Sequence, residues 1–148
     1  MKLNEFMNLS SIYLGVGVDS KKALFKEIGK IAEKKIKIES IKIIEKLNKR
    51  EMLGSTGVGQ GAAIPHTKIE GINKTIVLFL KLKNSIDFSS SDKKNVDLIF
   101  AIITPEDTQS EHLLILSSIS NFLKKEGNLK KLRALNDANN VMKIFSKY

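Results

Sequence analysis

Apolar positions along the chain alternate between helical and strand spacing, and their order predicts a layered fold. Ile12-Tyr-Leu-Gly-Val16 is a short β-prone run. After it, Leu24, Ile28, Ile31 and Ala32 recur on one helical face, with Asp19 or Ser20 placed to cap that helix. A second helix opens at Ser40, turns Ile41, Ile44 and Leu47 inward, and ends over residues 50–53 at Gly54. An extended stretch over 62–66 follows a glycine-rich loop. Residues 75–82 and 96–103 are nearly continuous apolar runs, the pattern of strands covered on both faces, and Pro105 is expected to stop the second. Thr108-x-x-Glu111 matches a capping box ahead of a helix with Leu113, Leu116, Ile119 and Leu123 on its apolar face. Residues 129–135 and 141–145 read as closing helices. The expected architecture is α/β: a layered single domain over residues 1–148, with a central mixed β-sheet flanked by helices.

Composition narrows the class. A chain of 148 residues can bury a substantial core as one domain. It has no cysteine, which excludes disulfides and thiolate chemistry. No apolar run reaches membrane-spanning length, and the N-terminus lacks a signal-peptide pattern, so a cytoplasmic protein without membrane insertion is expected. The net charge of +9 is concentrated in residues 21–50, with eleven Lys or Arg against four Glu. Lys22, Lys26, Lys30 and Lys34 recur at i+4, the spacing of a solvated helix face. No aromatic residues interleave with them and no base-reading motif accompanies them, so specific nucleic-acid binding is not expected; an acidic protein partner fits the charge.

The chemistry concentrates at Gly54-Ser-Thr-Gly-Val-Gly-Gln-Gly-Ala-Ala-Ile-Pro-His-Thr-Lys68, which carries one of only two histidines. Gly57 through Gly61 (Gly57, Val58, Gly59, Gln60, Gly61) form an amide-rich loop able to face an anion. Pro65 stiffens the approach to His66. A Walker loop is excluded, because Gln60-Gly61 stands where Lys-Ser/Thr is needed. The dinucleotide fingerprint is formally met, but a helix precedes it and Pro65 disfavours one after it. Two histidines without cysteine do not make a metal site, and Gly-x-Ser-x-Gly is absent. Phosphoryl transfer through histidine fits the residues: a neutral imidazole is nucleophilic near pH 7, and the group it accepts needs cations and donors nearby. Arg50, ending the second helix, can return to the loop mouth with a fork suited to phosphate oxygens. His112 sits in the first turn of a helix, where the dipole favours an anion. Glu51 serves equally well as a salt-bridge partner or a site residue.

Arg50-Glu51 followed by Ser55-Thr-Gly-Val-Gly-Gln-Gly-Ala-Ala-Ile-Pro-His66 resembles the phosphorylation-site signature of enzyme IIA of the bacterial phosphotransferase system, in its fructose/mannitol/nitrogen-regulatory (type 2) branch. Pro105 with the following Asp107, onward to His112-Leu113 and Leu116-Ser117, is similar to that family's second motif, and Ser20-Lys-Lys-Ala-Leu24 also matches. The resemblance implies a histidine phosphocarrier without small-molecule turnover or cofactor. It would accept phosphate from phospho-HPr, or a nitrogen-branch HPr homologue, on Nε2 of His66. The acceptor would be an enzyme IIB in sugar uptake, or alternatively a regulatory target protein of a nitrogen-regulatory IIA. Arg50 and His112 would be supporting residues. Val58, Ala62 and Ile64 are expected to form the centre of the docking patch around the loop.

Overall fold

The computed structural model describes residues 3–147. After two 3-10 turns the elements are β1 (Ile12–Val16), α1 (Lys21–Ile36), α2 (Ser40–Met52), β2 (Gly57–Gly59), β3 (Ala62–Ala63), β4 (His66–Ile69), β5 (Ile76–Ile86), β6 (Val96–Pro105), α3 (Gln109–Lys124), α4 (Asn128–Ala134) and α5 (Ala138–Phe145). The sheet order is β1-β5-β6-β3-β2, with β4 also paired to β6. β1 runs parallel to β5, β5 antiparallel to β6, and β3 and β4 parallel to β6. The expected mixed α/β architecture is present.

The long apolar runs of β5 and β6 serve two cores with strand periodicity. Phe79 and Phe100, tilted against each other, face α3 and α5, where Phe122 and Phe145 meet them edge-on. Leu78, Leu80, Ile99 and Ala101 face the other way, onto Leu24, Phe25 and Ile28 of α1 and Ile43 and Leu47 of α2. Gly29 lets α1 and α2 approach closely: a Cβ there would lie 2.7 Å from Ile44 Cγ1.

The local expectations are met in part. Ser20 caps α1, its Oγ accepting from the Ala23 amide at 3.0 Å. In α2 the fully buried positions are Ile43 and Leu47, while Ile41 is exposed and Ile44 half-buried, so the buried face is rotated from the expected one. In α3, Leu113 also faces outward; the buried series is His112, Ile115, Ile119, Phe122 and Leu123. The rotation of α3 is fixed by Phe122 in the aromatic cluster at one end and by the His112–Thr104 bond at the other. The capping box does not form: Thr108 Oγ1 donates to the Pro105 carbonyl, and Glu111 accepts instead from Thr75 Oγ1. Pro105 ends β6 as expected, as its last paired residue opposite Ile69, where a missing N–H is tolerated.

Candidate functional site

His66 opens β4, in register with Ile102 of β6. Ile64 and Pro65 separate it from β3, and the Pro65 carbonyl accepts from the Ile102 amide at 3.0 Å, so this segment is held against the sheet as far as the imidazole. His66 Nδ1 lies 2.7 Å from the Ile64 carbonyl oxygen. A carbonyl can only accept, so Nδ1 carries the proton and Nε2 keeps its lone pair. Arg50 Nε donates to that Nε2 at 3.3 Å, while Arg50 Nη1 donates to the Gly54 carbonyl at 3.1 Å.

His112 approaches from the first turn of α3. Its ring centroid is 5.2 Å from that of His66, and its Nδ1 is 2.8 Å from Oγ1 of the fully buried Thr104. That bond fixes the ring and leaves Nε2 as its remaining polar atom. Burial disfavours the charged form of both imidazoles. Burial pushes the His66 pKa below 6.5, assisted by the charges of Arg50 and Lys68 and opposed by the Ile64 carbonyl and Glu51. Burial, then the charges of His66 and Lys68, takes His112 down to about 4.

These side chains share a cavity of about 650 Å³. Lys46, Lys49 and Lys68 add cations to that of Arg50, and Leu53, Leu113 and Leu116 supply apolar wall; no carboxylate among the described residues lines it. The site is electropositive, open and nucleophilic, which suits a group that arrives with negative charge.

The structure therefore brings together Arg50, His66 and His112, drawn from the end of α2, the start of β4 and the first turn of α3. It does not bring the Gly57, Val58, Gly59, Gln60 and Gly61 amides to them. These residues form a hairpin with β3 that leads away from His66: Gly57 pairs with Ala63, and the Gly61 carbonyl accepts from the Asp97 and Leu98 amides at the far end of β6. Gly57 N donates to Ser55 Oγ and Gln60 N to Asp92, so two of the loop amides are already engaged. The glycines answer other needs, since Gly59 and Gly61 have φ of +92° and +80° and Arg133 packs directly on Gly61. The expected docking centre also changes. Val58 is exposed, but Ala62 and Ile64 are 1% and 3% exposed, buried by their sheet positions. Met52, Leu53, Leu113 and Leu114 are the exposed apolar side chains on the two helix ends that frame the site. Leu53 and Leu113 escaped the sequence reading because a helix terminus and an assumed inward face concealed them. Lys46, Lys49 and Lys68 were legible only as undifferentiated basic charge.

Two imidazoles and a guanidinium converge on one open cationic cavity. The chain belongs to the family described as phosphoenolpyruvate-dependent sugar phosphotransferase system, EIIA 2, whose model matches residues 5–148. It is 36% identical to a nitrogen regulatory protein homolog of Haemophilus influenzae, over 98% of this chain and 91% of that protein. Its fold superposes on the crystal structure of nitrogen regulatory protein IIA-Ntr from Neisseria meningitidis with a TM-score of 0.92 and 35% identity, covering 97% of this chain and 98% of that one. IIA mannitol from Escherichia coli shares the fold at a TM-score of 0.79 and 21% identity, covering 94% and 98% of the two chains. Among the described residues no helix is long and apolar enough to cross a membrane, and no group of three or more acidic or histidine side chains is arranged to hold a metal ion.

Proposed function

We propose that this chain is a cytoplasmic histidine phosphocarrier in which Nε2 of His66 accepts a phosphoryl group from the phosphohistidine of an HPr-type protein and passes it to a second protein. The observation that carries the reading is the pairing of His66 Nδ1 with the Ile64 carbonyl, which leaves the Nε2 lone pair beside Arg50. In the transfer, Nε2 attacks phosphorus as the donor's P–N bond breaks, and the donor imidazole leaves with the electron pair. The positive charge developing on the His66 ring is stabilised through Nδ1–H by the Ile64 carbonyl. Arg50 exchanges its bond to Nε2 for phosphoryl oxygens, and the lysines and His112 support the transferred charge. Met52, Leu53, Leu113 and Leu114 supply apolar docking surface for both partners.

The similarity to nitrogen regulatory proteins favours the regulatory branch over an enzyme IIB of sugar uptake as the destination, since the mannitol protein supports the fold alone. The test is transfer from purified phospho-donors. A nitrogen-branch HPr homologue should phosphorylate the chain once, at His66, at least tenfold faster than a sugar-branch HPr. Faster transfer from the sugar-branch donor would move the protein to sugar uptake, and phosphorylation retained in His66→Ala would remove the carrier reading altogether.

A further inference from the structure

Glu51 lies beside Arg50 in sequence but does not line the cavity, and its side chain is only 7% exposed. Its Oε1 accepts from Thr56 Oγ1 at 2.6 Å, and its Oε2 accepts from the Thr56 amide at 3.0 Å and from Lys21 Nζ at 2.8 Å. Lys21 is itself placed, with Nζ 4.2 Å from the ring centroid of the buried Phe88. A buried carboxylate with three donors is a rigid and costly feature, and its removal leaves those donors unsatisfied.

The two groups that reach His66 both depend on the segment this carboxylate closes. Between Glu51 and Thr56 lies Gly54, whose carbonyl receives Arg50 Nη1 while Arg50 Nε addresses His66 Nε2. The Thr56 carbonyl accepts from the Ile64 amide at 2.9 Å, and the Ile64 carbonyl holds His66 Nδ1. From one carboxylate, one path leads through Gly54 and Arg50 to Nε2, and the other through Thr56 and Ile64 to Nδ1. Ser55 Oγ, donating to the Phe88 carbonyl at 3.0 Å, braces the same turn.

We infer that Glu51, clamped by Lys21 and Thr56, is a positioning residue that sets the tautomer of His66 and the aim of Arg50 at the same time. The inference builds on the carrier reading without sharing its test, because the tautomer can be read with no donor present. Nitrogen-15 NMR of the full chain at pH 7.5 should show His66 with protonated Nδ1 and bare Nε2. In Glu51→Gln, which keeps the shape but loses the charge and an acceptor, the two His66 nitrogen shifts should move toward each other as the tautomers mix. Its phosphoryl-transfer rate at saturating donor should fall at least tenfold while KM stays within about twofold. A folded Glu51→Gln with wild-type His66 shifts and wild-type maximal rate overturns the inference. If Glu51→Gln does not fold, Thr56→Val replaces it, removing only the hydroxyl bond: displaced His66 shifts support the clamp, and wild-type shifts overturn it. Failure of the wild-type chain to accept phosphate would count against the carrier reading alone, since the shifts report on the clamp regardless.

Discussion

Acidification should destabilise the wild-type chain more steeply than a His112→Gln variant. His112 is 6% exposed and has a folded pKa of about 4, against about 6.5 for the unfolded chain. With the folded value the lower one, the unfolded chain binds the proton first as pH falls. Stability linked to His112 is therefore fully present above about pH 6.5 and is lost progressively down to about pH 4. The lowering corresponds to roughly 3 kcal/mol in full, most of which is already lost at pH 4.5. Glutamine can keep a hydrogen bond to Thr104 Oγ1 but cannot titrate. Other acid-sensitive groups are common to both proteins, so the difference between them isolates this ring, provided the substitution leaves their environment alone. Urea unfolding at pH 7.0 and 4.5, with a check that m-values are unchanged, gives the four free energies required. The wild type should lose about 2 kcal/mol more than the variant between the two pH values. Equal losses, within about 0.5 kcal/mol, would refute the buried neutral imidazole.

Three further outcomes follow from the site. Arg50→Ala removes the donors to both Nε2 and the Gly54 carbonyl and should slow phosphoryl transfer roughly 10- to 100-fold, as expected for charge-assisted bonds; Arg50→Lys, which keeps the charge without the fork, should lose less, and equal rates for all three in a stopped transfer assay would refute the role. Replacing Leu53 and Leu113 by serine should raise the donor KM severalfold with little change in maximal rate, while salt slows association with an acidic partner; unchanged kinetics would show that the exposed apolar ends of α2 and α3 do not dock. Transfer from purified phospho-donor should survive EDTA, and abolition followed by rescue with a divalent ion would reveal a metal requirement.

The helices were legible from the spacing of their apolar residues and the two central strands from their nearly continuous apolar runs, and the expected solvated face of α1 (Lys22, Lys26, Lys30 and Lys34) is exposed. The errors share a cause. Ile41 and Leu113 each belong to helices whose rotation is decided by tertiary contacts, Gly29 against Ile44 in one case and Thr104 against His112 in the other. A hydrophobicity pattern gives the polar His112 no claim to the buried face. The glycine loop misled for a related reason: its residue types suit an anion cradle, but strand register takes the hairpin away from the imidazole. Arg50, His66 and His112 were legible as a group through their motif, whereas Glu51 was ambiguous. Its buried acceptor role depends on Lys21, thirty positions earlier, which no local spacing could have indicated.

The central claim is the nucleophilic atom, and NMR of the phosphorylated chain tests it most directly. After incubation with phosphoenolpyruvate, enzyme I and an HPr-type donor, phosphorus-31 and nitrogen-15 spectra should show one phosphoryl group bonded to Nε2 of His66, with Nδ1 still protonated toward Ile64. A phosphoryl group on Nδ1, on His112, or still present in His66→Ala would contradict the account.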